Sequence, residues 1–297
     1  MAEIFECIPN VSEGIRAEVV AECVNAVRSV SAITVMNYSS DTNHNRSVIT
    51  FMGDFEAVEE AAVRLSRRAT ELIDLRGHRG EHPRVGALDV LPFVPLGSAS
   101  KERAIELSLR VAKRIWEENG VPCYLYEDSA SAPHRRNLAD IRRGQFEGLE
   151  QKTRQSEWLP DFGEGYHASA GITVTGARSP LIAYNFNLST SCLSVAKEIA
   201  REIRESSGGL AGVKALGVML ESKNTAQVTV NLVDYTKTPL HVLTEEVRRL
   251  AREKGTEVTE AELIGLVPMR ALSEAAAYYL GIGDFDAEKR VIEEFLI

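Results

Sequence analysis

Apolar positions in this chain run twice through one order, strand, helix, strand, strand, helix, strand, and that repetition restricts the fold more than any other feature. The second pass is the clearer one. Residues 181–186 form an apolar strand pattern leading into a helix with Cys192, Val195, Ile199 and Ile203 on one face. Strands at 213–220 and 227–233 follow, then a helix carrying Leu240, Leu243, Val247 and Leu250, a strand at 257–264 and two short helices. The first pass has a strand at 4–8, a helix with Val20, Val24 and Val27 on one face, and strands at 33–38 and 47–52. After Gly53, with Asp54 as N-cap, Phe55, Val58, Ala62, Leu65, Ala69 and Leu72 alternate three- and four-residue spacings, which predicts an amphipathic helix lying on a sheet. A strand at 90–94, a helix at 101–119 and a strand at 123–126 complete this half, while residues 133–165 are less regular. The order is that of the split β-α-β plan. The expected class is therefore α/β (α+β): two ferredoxin-like subdomains, each a mixed or antiparallel sheet with helices packed on one face. Asn10-Val11-Ser12 and Asn187-Leu188-Ser189 fall at equivalent strand-to-helix junctions of the two halves. At 297 residues the chain is long for a single core, so domains at 1–178 and 179–297 are expected, with room for a cleft.

Composition narrows the classes of function. Hydrophobic residues at 44% and charged residues at 26% are ordinary globular usage, without a low-complexity tract. A net charge of -9 opposes general nucleic-acid binding, which needs a basic phosphate-facing surface, and favours small-molecule chemistry. The opening MAEIFECIPNVSEG is acidic where a signal peptide is basic, and no stretch reaches the roughly 20 apolar residues of a membrane helix. A cytoplasmic protein with no membrane contact is expected. Cys7, Cys23, Cys123 and Cys192 are scattered without CxxC spacing and read as buried thiols, not as a disulfide framework or zinc site.

The densest polar cluster is His78-Arg79-Gly80-Glu81-His82-Pro83-Arg84, followed by Val85-Gly86-Ala87-Leu88-Asp89. His78-x-x-Glu81-His82 has the H-x-x-E-H pattern of inverted zinc peptidases, in which the two histidines lie one helical turn apart. Gly77, Gly80 and Pro83 oppose a helix there, so no metal is expected. His82 is the candidate base, because an imidazole with an ordinary pKa of about 6.5 accepts and returns protons near neutrality. His78 is equally well explained as a helix C-terminal residue meeting the last carbonyls. The segment Asp41-Thr42-Asn43-His44-Asn45-Arg46 supplies a carboxylate able to orient His82, together with an imidazole, amides and a guanidinium. Asparagine and aspartate are also turn formers, whereas Arg46 at a strand entrance suits bidentate contact with an acidic substrate. Asn10 and Ser12 present an amide and a hydroxyl at the first strand-to-helix junction; His134-Arg135-Arg136, Arg178 and Lys214 add further cations.

The blocks ECIPNVSEG, HNRSV, HRGEHPRVGALDVLPFVP, GARSPLIAYNFNLST, KNTAQVTVNLVDY and LIGLVP, which span nearly the whole chain in order, together resemble the formiminotransferase family. The resemblance implies two α/β subdomains with a cleft for folate, usually in a homodimer, with tetrahydrofolate as co-substrate and no metal. It also implies an activity: transfer of a formimino group from N-formimino-L-glutamate to N5 of tetrahydrofolate, giving 5-formiminotetrahydrofolate and L-glutamate in histidine degradation. His82 would take the proton from the attacking nitrogen and return one to the departing amine. Arg46, Arg84, Arg178 and Lys214 would meet the carboxylates of the substrates, and Asn10, Asn185 and Asn187 the pterin or the polar intermediate. Ser12, His44, Asn45 and Gly86 complete the implied binding set. The cyclodeaminase domain of the longer animal enzyme does not follow the segment from Arg290 to Leu296, so ring closure would fall to a separate protein. One departure stands out: family members can carry an acidic residue where this chain has Asn37 and Ser39, and Asp41 is the nearby carboxylate. A shift of two residues keeps the same face only if the strand continues. Two other readings stay open, a transferase moving a formyl group from 5-formyltetrahydrofolate to glutamate and a noncatalytic folate-binding protein.

Overall fold

Phe5, Cys7 and Val11 are buried and the residues alternating with them are less so, the period of two expected of a strand with one covered face. β1 (Ile4–Cys7) and β2 (Asn10–Val11) are two pieces of one strand interrupted at Ile8-Pro9, where proline has no N–H to donate. The computed structural model describes residues 3–220 and 223–292; most of the closing segment after Arg290, residues 293–297, lies outside the described residues. By its internal contacts the chain divides into two units, Met1–Arg178 and Ser179–Ile297.

In the first unit, α1 (Ala17–Arg28) follows β2, then come β3 (Thr34–Asp41), β4 (Arg46–Gly53), α2 (Phe55–Leu72) and β5 (Leu88–Leu96). The strands line up as β3, β4, the β1/β2 pair and β5, every neighbour antiparallel. This is the split β-α-β order expected from the apolar pattern. After α3 (Lys101–Asn119) and β6 (Cys123–Leu125), the sheet gains β7 (Thr173–Ala177), which lies parallel between β5 and β6. The apolar pattern does not reveal β7, because all five of its residues are buried and nothing alternates. Short α4 (Leu138–Arg142) and α5 (Leu149–Lys152) occupy the irregular stretch between them; their Ile141 and Leu149 join Val90, Tyr124 and Val174 in an apolar cluster separate from the main core.

Capping explains where α2 begins. Asp54 accepts a hydrogen bond from the Ala57 N–H at 2.8 Å, and Glu56 adds a negative charge in the first turn, where the helix dipole favours one. Asp54→Ala is expected to lower unfolding free energy by about 1 kcal/mol in a denaturant titration, and an unchanged midpoint would show that the cap is idle.

The second unit runs through β8 (Ile182–Leu188), α6 (Leu193–Ile203), β9 (Val213–Leu220), β10 (Thr225–Leu232), α7 (Leu240–Glu253) and β11 (Val258–Ile264), with α8 (Met269–Leu280) and α9 (Ala287–Arg290) after them. Its sheet has the order β11-β8-β10-β9, antiparallel throughout, the same plan as the first unit before β6 and β7 are added. Phe186, Val228, Ile199 and Val247 belong to one core shared by the sheet, α6 and α7. Cys7, Cys23 and Cys123 are buried free thiols, but the expectation of burial fails for Cys192. That residue is the N-cap of α6, one position before the helix, so the apolar stripe begins after it and the thiol stays exposed. No described helix is long and apolar enough to cross a membrane.

Candidate active site

Three segments of the first unit are tied together at Asn45: the turn after β2, the β3–β4 turn, and the connection from α2 to β5. Asn45 has φ of 47°, a left-handed conformation that asparagine tolerates better than most residues. Its Oδ1 accepts from the Gly14 N–H at 2.9 Å, its Nδ2 donates to the Arg79 carbonyl at 2.8 Å, and its own carbonyl meets His78 Nε2 at 2.9 Å. Glycine is needed at two of the crossings: a Cβ on Gly14 would lie 2.3 Å from the Asp41 carbonyl oxygen, and one on Gly80 would lie 2.3 Å from that of His44. Ser12 is buried, and its hydroxyl donates to the Gly86 carbonyl at 2.7 Å, tying the β2 turn to the start of β5.

Residues 78–82 are not helical, so His78 and His82 lack the one-turn spacing that zinc peptidases require. His78 is buried with a fixed tautomer: Nδ1 accepts from Arg84 Nε at 3.1 Å, leaving Nε2–H to donate to Asn45. The Arg84 guanidinium is largely engaged as well, forming a two-armed pair with Glu147 at 2.7 and 2.8 Å and donating to Gln145 at 3.0 Å. Those bonds hold the Glu147 carboxyl down at about 2.

His82 is placed differently. Its ring lies 5.8 Å from that of His44, centroid to centroid. His82 Nδ1, His44 Nδ1 and Arg46 Nε are all buried without a hydrogen-bond partner. The three residues line one depression, along with Ser12 and Asp89. An unpaired buried polar atom costs about 1–3 kcal/mol, so three side by side mark a place where a polar ligand can complete the bonding. Burial pushes the His82 imidazole down to about 4, helped by the positive charges of Arg46 and Arg142 and opposed by Asp89. At neutral pH the ring is uncharged. Burial, and then the charge of Arg142, also lowers the Arg46 guanidinium, which nevertheless stays cationic.

Asp41 stands opposite Arg46 in the β3–β4 ladder, and because β3 continues this far, Asn37, Ser39 and Asp41 point to the same face. Its carboxylate accepts from the His44 N–H at 2.9 Å, the contact that chiefly lowers its pKa, and lies 3.4 Å from His44 Nδ1 without hydrogen-bond geometry. The carboxylate whose field reaches His82 is Asp89. β5 bulges against β2, with Asn10 opposite Val90 and Val11 opposite Leu88, so Asp89 is the extra residue. It is buried; Oδ1 accepts from the Val85 and Gly86 N–H groups at 2.6 and 3.2 Å, and Oδ2 pairs with Arg142, whose Nε lies at 2.9 Å.

The sequence reading singled out neither Asp89 nor Arg142 as a site residue. Asp89 had a signal, a single charge inside the apolar run Leu88-Asp89-Val90-Leu91; Arg142 had none. Asn10, half-buried at the bulge, turns its amide back to the Ile8 carbonyl at 3.3 Å. Arg178 ends the first unit, where its charge acts on Glu6, Cys7 and Tyr126. Asn185, Asn187 and Lys214 belong to the second unit. Asn187 is buried there, donating to Glu260 at 3.0 Å and accepting from Gln227 at 2.7 Å; Asn185 Oδ1 accepts from the Val230 N–H at 3.4 Å, and Lys214 pairs with Asn231 across β9 and β10.

Two split β-α-β units, the first holding a depression lined by unpartnered nitrogens of His44, Arg46 and His82, make a protein with a place for a polar small molecule. The chain belongs to the formiminotransferase family: residues 4–178 match the formiminotransferase domain, N-terminal subdomain, and residues 183–294 match the formiminotransferase domain. It is 46% identical to the glutamate formimidoyltransferase of Streptococcus pyogenes serotype M1, over 100% of both chains. It is 43% identical to the glutamate formimidoyltransferase of Thermoplasma acidophilum, covering 98% of this chain and 96% of that one. The formimidoyltransferase-cyclodeaminase of Rattus norvegicus is 43% identical over 94% of this chain, which spans 53% of that longer protein.

Proposed function

We propose that this chain transfers a formimino group from N-formimino-L-glutamate to N5 of tetrahydrofolate, with His82 as the proton-transfer residue. The transfer itself is supported by the identity to glutamate formimidoyltransferases over the full chain. The observation that supports His82 is its uncharged, half-buried ring, with Nδ1 unpartnered, beside the unpaired Nε of Arg46. As N5 attacks, the N5–C bond forms and the C=N π pair moves onto the imino nitrogen, while the proton of N5 passes to His82. The same proton then goes to the glutamate nitrogen as the C–N bond to glutamate breaks and the C=N bond re-forms. Arg46 and His44 supply donors for substrate carboxylate, and Asp41 steadies His44. Asn45, Ser12, His78 and Arg84 support this set by fixing the loops that carry it. On the family resemblance alone, Arg178 and Lys214 are assigned to substrate carboxylates and Asn10, Asn185 and Asn187 to the pterin or the polar intermediate. Homodimer assembly rests on the same resemblance, and a cytoplasmic setting on the free thiols, which fit a reducing compartment.

A steady-state comparison of formiminoglutamate with 5-formyltetrahydrofolate as donor tests the reaction. Turnover with formiminoglutamate at least about tenfold faster is expected, given the identity to glutamate formimidoyltransferases over the full chain. A preference for the formyl donor would replace this reading with formyl transfer, and binding of folate without turnover of either donor would end it.

A further inference from the structure

We propose that Asp89 and Arg142 form a positioning pair for His82: the bulge of β5 and the end of α4 together hold the loop from His82 to Asp89 and set the charge the imidazole faces. The proposal rests on the reading of His82 as the proton-transfer group. Its first support is geometric. One carboxylate closes the turn from Val85 to Asp89 and fastens it to α4, taking the Val85 and Gly86 N–H groups on Oδ1 and Arg142 on Oδ2, while lining the same depression as His82. A second support is the burial of the pair: Asp89 and Arg142 have 2% and 12% of their side-chain surface exposed. A buried ion pair adds little net stability for its desolvation cost, but neither partner can leave without stranding the other's charge, so each holds the other in place. Third, the segment carrying Arg142 grips the same loop again through Glu147 on Arg84 and the Phe146 N–H on the Arg84 carbonyl at 2.9 Å.

The charges facing His82 come from four elements: Arg46 from β4, His44 from the β3–β4 turn, Asp89 from β5 and Arg142 from α4. Arg142 and Asp89 oppose one another there. Removing one member therefore has a sign that loosening of the loop alone does not have. Asp89→Asn keeps an acceptor for Val85 and Gly86 but loses the charge, so the His82 ring becomes harder to protonate. Arg142→Met removes a repelling charge, so the ring becomes easier to protonate.

The test is the His82 titration, followed by histidine NMR, together with the acid limb of kcat/KM, in the purified full chain. Asp89→Asn is expected to move both downward and Arg142→Met to move both upward, each by about one pH unit, with kcat lower by about tenfold and KM within a few-fold. Arg142→Lys is expected to restore the limb to within a few tenths of the wild-type position. If Asp89→Asn does not fold, the Arg142→Met and Arg142→Lys pair carries the same test. Superimposable titrations, or displacement in one direction for both losses, would overturn the proposal. His82→Ala run alongside separates the two ideas: unaltered turnover in that variant removes the reading of His82 itself, whereas a large loss there with unmoved titrations in the others removes only the positioning pair.

Discussion

His82→Ala is expected to lower turnover by about 10²–10⁴-fold, the usual range for a general acid–base group, while folate affinity stays within a few-fold. The reason is that the ring has a transfer role and no anchoring one: among the described residues its Nδ1 bonds to nothing, and its surroundings keep it uncharged. Its pH dependence follows with a definite sign. A base works in its deprotonated form, and a ring at about 4 stays deprotonated well below the ordinary 6.5. In the wild type kcat/KM therefore holds steady as pH falls through 6.5 and drops only as pH approaches the lowered value. Once carboxylates sit beside Arg46 they offset its charge, so the limb in kcat lies at higher pH than the limb in kcat/KM. Wild-type rates in the alanine variant would remove His82 from the chemistry.

Arg46→Met is expected to raise KM for the carboxylate-bearing substrate by about 10- to 100-fold, the loss of a charge-assisted hydrogen bond worth about 1.5–3 kcal/mol. Arg46 begins β4 and presents a buried Nε with no partner, so a bound anion gains a bond that no protein group has to release. The same guanidinium is the largest charge contribution lowering His82, so its removal also moves the acid limb of kcat/KM upward toward 6.5. KM from initial rates and the pH profile are read in one preparation. An unaltered KM would place the substrate carboxylate elsewhere.

Much of this architecture was legible in the apolar spacing, and the reasons for the gaps are physical. The α2 stripe from Phe55 to Leu72 and its Asp54 cap are local signals, and the structure keeps them. β7 escaped because a strand covered on both faces has no alternation, and β3 was read too short because Ser39, Ser40 and Asp41 are polar on an exposed edge strand. At the site, His82 was legible as an imidazole, able to take and return protons near neutrality, in a polar segment directly before an apolar strand. The bond from Arg142 to Asp89 spans 53 positions in the chain and depends on a bulge, which no spacing rule encodes. Asn45 was legible as a turn residue, but its work as the common tie of three segments emerges only when they are brought together.

The place of β7 between β5 and β6 also has a bearing on how the first unit comes into being. A growing chain makes β6 at Cys123–Leu125 and only later, at Thr173–Ala177, makes the strand that joins β6 to the sheet. Until then β5 ends the sheet with an open ladder of backbone groups, and β6 has no strand beside it. Open ladders invite pairing with other chains, and contacts far apart in sequence are slow to form. The first unit is thus a sheet whose interior member arrives last, and the ribosome must carry the chain to the end of that unit before β5 gains its neighbour and β6 joins the sheet.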